Sequence, residues 1–266
     1  MKKIIIAIVI VFLSIFSFQN LNFTKETRTS RQEISLEQYS VHQGNLILVN
    51  QDYMLAQDAT NLVNIPMELK EDVLFDSDLL LNKALIRPLQ QMFEAAISDG
   101  VNHFMLNSTY RSGQLQEQLF VDYGASYALP PGYSEHQTGL ALDIGSSDGT
   151  MDQALESKWL EKNAANFGFI LRYPENKMDI TGISFEPWHF RYVGLPHSIM
   201  IKRKDFAFEE YINYLMTEKE YLMKVNGVTY FVQYVEQAPT VKIPKTQNFN
   251  VSGNNINGFI ITSIID

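Results

Sequence analysis

The sequence of 266 residues contains no cysteine. This absence excludes disulfide bonds, thiolate zinc sites, cysteine nucleophiles and a lipoprotein anchor on a cysteine. Basic residues are also scarce, since 21 Lys and Arg stand against 30 Asp and Glu and give a formal net charge of -9. A protein that binds a phosphate backbone needs clustered Lys and Arg, and no basic block follows Lys3. We therefore expect no nucleic-acid partner.

What the chain does contain is the composition of a folded protein. Hydrophobic residues make up 45% of the sequence and aromatic residues 12%. These fractions are typical of globular proteins, and the length allows one well-cored domain with additional segments. Intrinsic disorder of the whole chain is therefore excluded.

The N-terminus carries two lysines before a largely apolar run from Ile4 to Phe18. This order is typical of an export signal. The run is shorter than the roughly 20 residues of a spanning helix, but Leu21 and Phe23 extend it and no small-x-small cleavage site follows. We expect residues 1–23 to form an uncleaved signal-anchor, a single membrane span with the rest of the protein outside the cytoplasm. There are two alternatives: a signal peptide that is cleaved, so that the protein is secreted, and a buried core helix.

The order of predicted elements indicates an α+β fold. Residues 24–44 are polar and lack apolar periodicity, which predicts a tether. Helices are predicted within 79–100, 112–124, 146–168 and 203–216, and strands within 45–53, 101–111, 140–144, 169–174 and 184–194. Asn226-Gly227 between two strand-like runs predicts a hairpin, and a second hairpin is predicted within 249–266. We expect residues 217–266 to form a small β appendage.

The stretch YSEHQTGLALDIG, residues 133–145, places a histidine and an aspartate close to a short predicted strand. Alternation along that strand would point Ala141 and Asp143 to one face, and small Ala141 leaves room beside the carboxylate. His136 precedes the strand and could fold back over Asp143. Two interpretations stay open at this point: the two side chains bond each other or solvent, or they bind one metal ion.

The stretch FEPWHFRYVG, residues 185–194, adds a second histidine and a glutamate. Pro187 keeps Glu186 extended, so this is not the helical pair of H-E-x-x-H zinc peptidases. A catalytic zinc site uses three protein ligands and keeps one position open. His136, Asp143 and His189 would supply three such ligands, and Glu186 would remain as a base. A salt bridge between Glu186 and His189 at a strand end is the alternative.

These stretches resemble the motifs of a known family. SEHQTGLALD is similar to the S-x-H-x-x-G-x-A-x-D motif, and EPWH to the E-x-W-H motif, of VanY-type D-alanyl-D-alanine carboxypeptidases. This family belongs to the LAS group of zinc peptidases, which includes lysostaphin-like enzymes and the hedgehog signalling domain. STYRSGQLQEQLF resembles the family's S-x-Y-R segment with a downstream Gln. The resemblance implies a zinc carboxypeptidase domain over 45–216, with a small central antiparallel sheet and flanking helices.

Carried over by position, the resemblance implies one Zn²⁺ per chain bound by His136, Asp143 and His189. It implies that Glu186 is the general base, which passes a proton from water to the leaving amine. Arg111 would stabilise the developing oxyanion or bind the substrate carboxylate, since a guanidinium suits both tasks.

Five further residues are predicted to contact the substrate or line its pocket. Ser134 and Gln116 resemble family positions that help to hold the terminal D-alanine, although a serine at a loop end often bonds its own backbone. Tyr110, Arg172 and Trp188 are predicted to line the pocket, with ordinary core packing as the alternative.

The activity implied by the resemblance is removal of the terminal D-alanine from peptidoglycan stem peptides ending in D-Ala-D-Ala. An export segment agrees with this activity because the substrate lies outside the membrane, whereas a cytoplasmic D,D-dipeptidase would need no signal. An L,D-carboxypeptidase, a peptidoglycan endopeptidase and a non-catalytic zinc-containing wall-binding module are the alternatives. A role in glycopeptide resistance and a role in ordinary wall maturation are both chemically open.

Overall fold

The computed structural model describes residues 30–71, 73–76, 78–124 and 128–265. The predicted signal-anchor, residues 1–23, lies outside the described residues. None of the helices in the described ranges is long and apolar enough to cross a membrane. The chain from Arg31 onward forms one compact unit.

Six α-helices and twelve strands are found in the described ranges. The helices are α1 (Lys83–Ser98), α2 (Gly113–Tyr123), α3 (Leu155–Asn163), α4 (Met178–Thr181), α5 (His197–Lys204) and α6 (Phe208–Glu218). The strands are β1 (Arg31–Ser35), β2 (Leu62–Asn64), β3 (Leu80–Asn82), β4 (Phe104–Ser108), β5 (Ala141–Ser146), β6 (Phe169–Leu171), β7 (His189–Tyr192), β8 (Glu220–Val225), β9 (Val228–Glu236), β10 (Thr240–Pro244), β11 (Phe249–Gly253) and β12 (Gly258–Ile265). Short 3₁₀ helices cover Met67–Glu71, Glu135–Thr138, Ala164–Phe167 and Glu175–Lys177.

The strands form small sheets, and every strand pairing in them is antiparallel. A central four-stranded sheet has the order β4-β5-β7-β6, and a C-terminal four-stranded sheet has the order β11-β12-β9-β8. The pairs β1-β10 and β2-β3 are separate two-stranded ladders. The predicted α+β fold with small antiparallel sheets is confirmed.

Helix α1 covers one face of the central sheet because its apolar residues recur every three or four positions. Its buried side chains are Leu85, Leu89, Met92, Phe93 and Ala96. They share a core with residues of strands β4, β5 and β7, among them Phe104, Leu142, Ile144 and Phe190. The helix begins where the Asn82 side chain accepts a hydrogen bond from the Ala84 N–H, which satisfies one of its free donors. This packing leaves the other face of β5 and β7 for polar side chains.

The predicted strand over residues 45–53 is wrong, although its apolar residues are buried. Side chains, not a neighbouring strand, donate hydrogen bonds to its carbonyl oxygens. Nη2 of Arg191 binds the carbonyl oxygens of Asn45 and Ile47 at 3.1 and 3.0 Å, and Nδ2 of Asn255 binds that of Leu48 at 2.8 Å. Because these polar groups are satisfied without a ladder, the segment is buried as irregular chain.

Part of the predicted tether, residues 24–44, is ordered structure. Strand β1 pairs along its whole length with β10. Leu36, which follows it, is 1% exposed and packs with Ile243, Phe259 and Ile261. A partner about two hundred residues away in sequence cannot be seen from local periodicity, and this is why the polar segment looked unstructured.

The C-terminal sheet shares a core with α6. Phe208, Tyr211 and Leu215 of that helix pack with residues of the sheet such as Val232 and Ile260. The predicted hairpins form as β8-β9 and β11-β12. Asn226 and Gly227 adopt positive φ angles of 49° and 85° at the first turn, as a two-residue hairpin requires. The chain therefore continues past residue 217 within one compact unit.

A buried polar chain joins α5, α6 and the C-terminal sheet. Nδ1 of His197 lies 2.6 Å from the Tyr211 hydroxyl, and Nε2 lies 2.9 Å from Oγ1 of Thr262. The Tyr211 hydroxyl is 2.8 Å from that of Tyr221. Burial lowers the pKa of His197 to about 3. The imidazole is therefore neutral in the folded protein near neutral pH.

This burial predicts a pH-dependent component of stability. Between pH 6.5 and about 3 the unfolded chain binds a proton at His197 and the folded chain does not, so stability falls as the pH falls. Replacing the histidine in His197→Gln removes this component. The free energy of unfolding of wild type relative to the variant should drop by about 2 kcal/mol between pH 7 and pH 5, measured by urea denaturation with a chelator present. Parallel pH profiles for the two proteins would contradict this explanation.

Candidate metal centre and its cavity

Strand pairing brings two of the predicted ligands together. Asp143 on β5 and His189 on β7 are directly opposite each other in the antiparallel register. Opposite residues share one face of a sheet and have Cβ atoms only about 5 Å apart. Oδ1 of Asp143 lies 3.3 Å from Nδ1 of His189. The sheet alone therefore fixes this half of the site.

The third predicted ligand, His136, comes from the 3₁₀ helix before β5. Gly139 ends that helix with φ of 65°, and a Cβ at this position would lie 2.7 Å from Cδ2 of Leu62. This sharp turn folds His136 back, so that its Nε2 lies 3.4 Å from Oδ2 of Asp143. Nδ1 of His136 lies 2.6 Å from the carbonyl oxygen of Thr109, which can only accept. Nδ1 therefore carries the proton, and the lone pair of Nε2 faces Asp143.

The three side chains fit a zinc ion. One potential ligand atom from each of His136, Asp143 and His189 lies within 4.8 Å of the others. Oδ1 of Asp143 is buried and has no hydrogen-bond partner within the described residues. Two imidazole nitrogens and a carboxylate oxygen are a known donor set for catalytic zinc, which keeps a fourth position open. An orphaned buried carboxylate oxygen between two histidines is the observation that supports a cation here.

Charges within the cluster influence one another. Burial raises the pKa of Asp143, but His136 and His189 outweigh it and hold that pKa well below its usual range. Burial lowers the pKa of His189, yet the neighbouring carboxylates of Asp143 and Glu135 more than offset it and raise the pKa to about 9. Burial is the largest influence on His136 and lowers its pKa. The centre thus carries a firmly ionised carboxylate between the rings of His136 and His189.

Glu135, which the sequence analysis missed, lies directly behind the centre. Its Oε1 accepts hydrogen bonds from Nε of Arg172 at 2.9 Å and Nη1 of Arg191 at 2.8 Å. Its Oε2 lies 3.5 Å from Nε2 of His189, and within the described residues neither atom has another hydrogen-bond partner. Burial raises the pKa of Glu135, but the two arginines overcome it and keep the carboxyl ionised. The available signal was an acidic residue beside His136, together with arginines inside two apolar strands.

A cavity of about 420 Å³ lies over this centre. It is lined by several predicted site residues, namely Arg111, Gln116, Ser134, His136, Glu186 and His189. Oε2 of Glu186 lies 3.4 Å from Nδ1 of His189, and burial raises the pKa of the Glu186 carboxyl. The general base proposed from the motif and the ligand cluster therefore share one cavity.

The polar wall of the cavity includes an acceptor without a partner among the described residues. Gln116 is 1% exposed, and its Nε2 donates to the Leu129 carbonyl oxygen at 2.7 Å. Its Oε1 is buried without a hydrogen-bond partner in the described residues. Ser134 begins the 3₁₀ helix but its hydroxyl makes no capping bond there. Both side chains can therefore take a ligand's polar groups.

Three predicted pocket residues lie elsewhere. Arg172 is fully buried between Glu135 and Glu209 and does not line the cavity. The Tyr110 hydroxyl is 3.4 Å from Oδ2 of Asp58, outside the residues that line the cavity. Trp188 is 40% exposed and lines a neighbouring cavity of about 460 Å³ beside Asn107. Asp58 was also missed: it accepts from the Gly113 N–H at 2.8 Å and so holds the start of α2. Its position in a polar loop gave no sequence signal.

Comparison with known proteins agrees with these observations. The model of the VanY family, described as D-alanyl-D-alanine carboxypeptidase, matches residues 78–195. A D-alanyl-D-alanine carboxypeptidase from Enterococcus faecium is 44% identical over 246 residues, which cover 89% of this chain and 80% of that protein.

Solved structures are similar as well. The vancomycin resistance D,D-dipeptidase VanXYg, in complex with a D-Ala-D-Ala phosphinate analogue, has a TM-score of 0.77 at 32% identity, covering 88% of this chain and 99% of that one. A mutant of the D,D-pentapeptidase VanY from the VanB-type resistance cassette, in complex with Zn(II), has a TM-score of 0.54 at 33% identity, covering 64% of this chain and 99% of that one. The predicted family is confirmed: this chain belongs to the VanY family of D-alanyl-D-alanine carboxypeptidases.

Proposed function

We propose that this protein is a zinc-dependent D-alanyl-D-alanine carboxypeptidase that removes the terminal D-alanine from peptidoglycan stem peptides. The observation that carries the proposal is the convergence of His136, Asp143 and His189 beneath a cavity that also holds Glu186, in a chain of this family. One Zn²⁺ per chain would be held by the two histidines and the aspartate. The zinc-bound relative supports this choice of metal.

The chain's own residues divide the work of hydrolysis. When bound, zinc supplies Lewis-acid polarisation of the scissile carbonyl and lowers the pKa of a water to about 7. Glu186 takes a proton from the attacking water and delivers it to the leaving amine of D-alanine. Burial raises its pKa and brings its carboxylate closer to the range in which it can both accept and release that proton.

The cavity wall orients the substrate's C-terminal residue. Arg111 binds the terminal carboxylate, because its guanidinium fork matches a carboxylate and stays charged at every relevant pH. Oε1 of Gln116 accepts from a substrate N–H, and the Ser134 hydroxyl lies within the same wall. Tyr110 acts from behind the wall through Asp58, and the exposed ring of Trp188 contacts the upstream part of the stem.

A second candidate is D,D-dipeptidase activity on free D-Ala-D-Ala. It is favoured by the likeness to VanXYg, whose chain is covered over 99% of its length. The apolar N-terminal run favours the carboxypeptidase, since stem peptides lie outside the membrane and a free dipeptide precursor does not. Removal of terminal D-alanine also destroys the peptide end that glycopeptide antibiotics bind, so the same activity would contribute to resistance.

The first residues support a proposal for the location of the enzyme. Two lysines before the run from Ile4 to Phe18 favour an N-terminal anchor with the catalytic part outside the cytoplasm.

Substrate choice is tested by incubating the zinc-loaded protein with a pentapeptide stem ending in D-Ala-D-Ala. One D-alanine should be released, detected by mass spectrometry, and a chelator should abolish the release. Glu186→Gln should lower kcat by about 10² to 10⁴-fold, because it removes the general base, and should still bind Zn²⁺. Glu175→Gln changes an exposed carboxylate and is the matched control.

Other substrates separate the alternatives. Release from a tetrapeptide alone would assign an L,D-carboxypeptidase, and cleavage of free D-Ala-D-Ala alone would assign a dipeptidase. Retained zinc with no release from any of the three would leave an endopeptidase or a wall-binding module and would contradict the proposed function.

Arg111→Lys should lower kcat/KM for the pentapeptide by about 30-fold, mostly through KM, because an ammonium loses the bidentate match to a carboxylate. With a C-terminally amidated peptide, the difference between wild type and variant should largely disappear. Arg87→Lys, an exposed position on α1, is the control. If wild type and Arg111→Lys still differ as much with the amidated peptide, and the difference lies in kcat, Arg111 stabilises the oxyanion instead.

Cell fractionation tests the anchor. The full chain should sediment with membranes and be degraded by protease added to intact spheroplasts, whereas a chain begun at Thr24 behind a cleavable signal should be released to the medium. Recovery of the full chain in the medium, shortened at its N-terminus, would show instead that the signal is cleaved.

A further inference from the structure

A line of charged side chains leads from α6 to the metal ligand His189. Glu209 on α6 accepts two hydrogen bonds from Arg172, at 3.0 Å from Nη1 and 2.5 Å from Nη2. Nε of Arg172 donates to Oε1 of Glu135 at 2.9 Å, and Oε2 of Glu135 faces Nε2 of His189 at 3.5 Å. The side chains of Arg172 and Glu135 are 0% exposed and that of Glu209 is 12% exposed.

Each group in this line restricts the next. A guanidinium is planar, so a carboxylate that receives both Nη donors fixes the plane of Arg172 and the direction of its Nε–H. Arg191 binds the same oxygen of Glu135, but main-chain carbonyl groups hold its other end. Glu209 is itself held by Nδ2 of Asn50 at 3.1 Å. One of the two guanidinium groups that hold the Glu135 carboxylate, that of Arg172, is therefore oriented by Glu209.

The line ends at the second nitrogen of a ligand. Nδ1 of His189 faces Asp143, and Nε2 faces Glu135. A metal-binding histidine commonly donates its other N–H to a carboxylate, which fixes the ring orientation. If Glu135 shifts, the His189 ring is free to turn and its Nδ1 leaves the ligand cluster.

We propose that Glu209 is a positioning residue for the metal centre, acting through Arg172 and Glu135 on the orientation of His189. Glu209 lies beyond residues 78–195, which match the family. Helix α6 is therefore part of the support of the metal site and not only a packing element. The proposal rests on the zinc site of the proposed function, but it does not depend on which peptide is the substrate.

The test measures Zn²⁺ affinity of the full chain by competition with a colorimetric chelator. Glu209→Gln keeps the side-chain size but replaces the bidentate carboxylate with one neutral acceptor. We expect Zn²⁺ binding to weaken by about 10-fold, at the lower end of what loss of an outer-shell partner causes. The visible absorption spectrum of the Co²⁺-loaded variant should also change, because that spectrum reports ligand geometry.

Glu210→Gln is the matched control in the same helical turn. The Glu210 carboxylate lies 3.0 Å from Nζ of Lys177 and accepts from the Ala207 N–H at 2.7 Å. The control variant therefore weakens an ion pair and a hydrogen bond, as Glu209→Gln does, but leaves Arg172 unchanged. Its Zn²⁺ affinity should stay within about twofold of wild type. Wild-type affinity in Glu209→Gln, or an equal loss in both variants, would overturn the proposal.

A double variant separates positioning from general destabilisation. In an Arg172→Met background, Glu209→Gln should cause no further loss of Zn²⁺ affinity, since its route to His189 is already cut. An additional loss of Zn²⁺ affinity as large as in the wild-type background would contradict the proposed action of Glu209 through Arg172.

If Glu209→Gln does not fold, Asn50→Asp provides a milder change. An aspartate keeps the oxygen that accepts from the N–H groups of residues 52 and 53, but it places a second negative charge beside Glu209. It should weaken Zn²⁺ binding in the same direction, and unchanged affinity would again oppose the proposal.

Absence of peptide hydrolysis by the wild type would count against the proposed function alone. The Zn²⁺ affinities and the Co²⁺ spectra are measured without substrate, so they judge the relay separately.

Discussion

A carboxylate buried between two guanidinium groups is the constraint on which the metal centre depends. Glu135 is next to His136 in the chain and next to His189 in space, so its position affects both imidazoles. Removing Glu135 or one of its arginines would leave a buried charge without a partner, which lowers the free energy of unfolding by about 3–5 kcal/mol. Arg172, the residue after β6, and Arg191 on β7 donate to the same oxygen of Glu135. The ionic cluster therefore joins the fold and the site in one unit.

The two sides of the cavity differ in how firmly they are held. The ligand side is built on paired strands, with Asp143 directly opposite His189. The substrate side includes α2, an eleven-residue helix in which Gln116 is the buried residue. Under the proposed function, paired strands would preserve the reacting geometry, while a helix with little buried surface would adjust to a bound peptide.

Sequence reasoning succeeded where the determining interactions are local. Regular apolar spacing identified α1, Asn226-Gly227 identified a hairpin, and two short motifs named three candidate ligands whose side chains lie close together in the structure. It failed where partners are remote. The arginines that hold Glu135 are 37 and 56 residues away, and the buried segment 45–53 reads as a strand although side chains satisfy its carbonyl groups. Tertiary side-chain contacts leave no periodic trace in the sequence.

Strand β1 supplies an edge that strand β10 needs. It is the ladder partner of β10 in a two-stranded sheet, and Leu36 behind it covers Ile243, Phe259 and Ile261. A fragment begun at residue 45, the first residue of the predicted zinc carboxypeptidase domain, would leave β10 with unpaired N–H and C=O groups beside newly exposed apolar side chains. Such an edge is a template for self-association. Precipitation of a shortened protein would then report a missing edge partner, not a defective catalytic core.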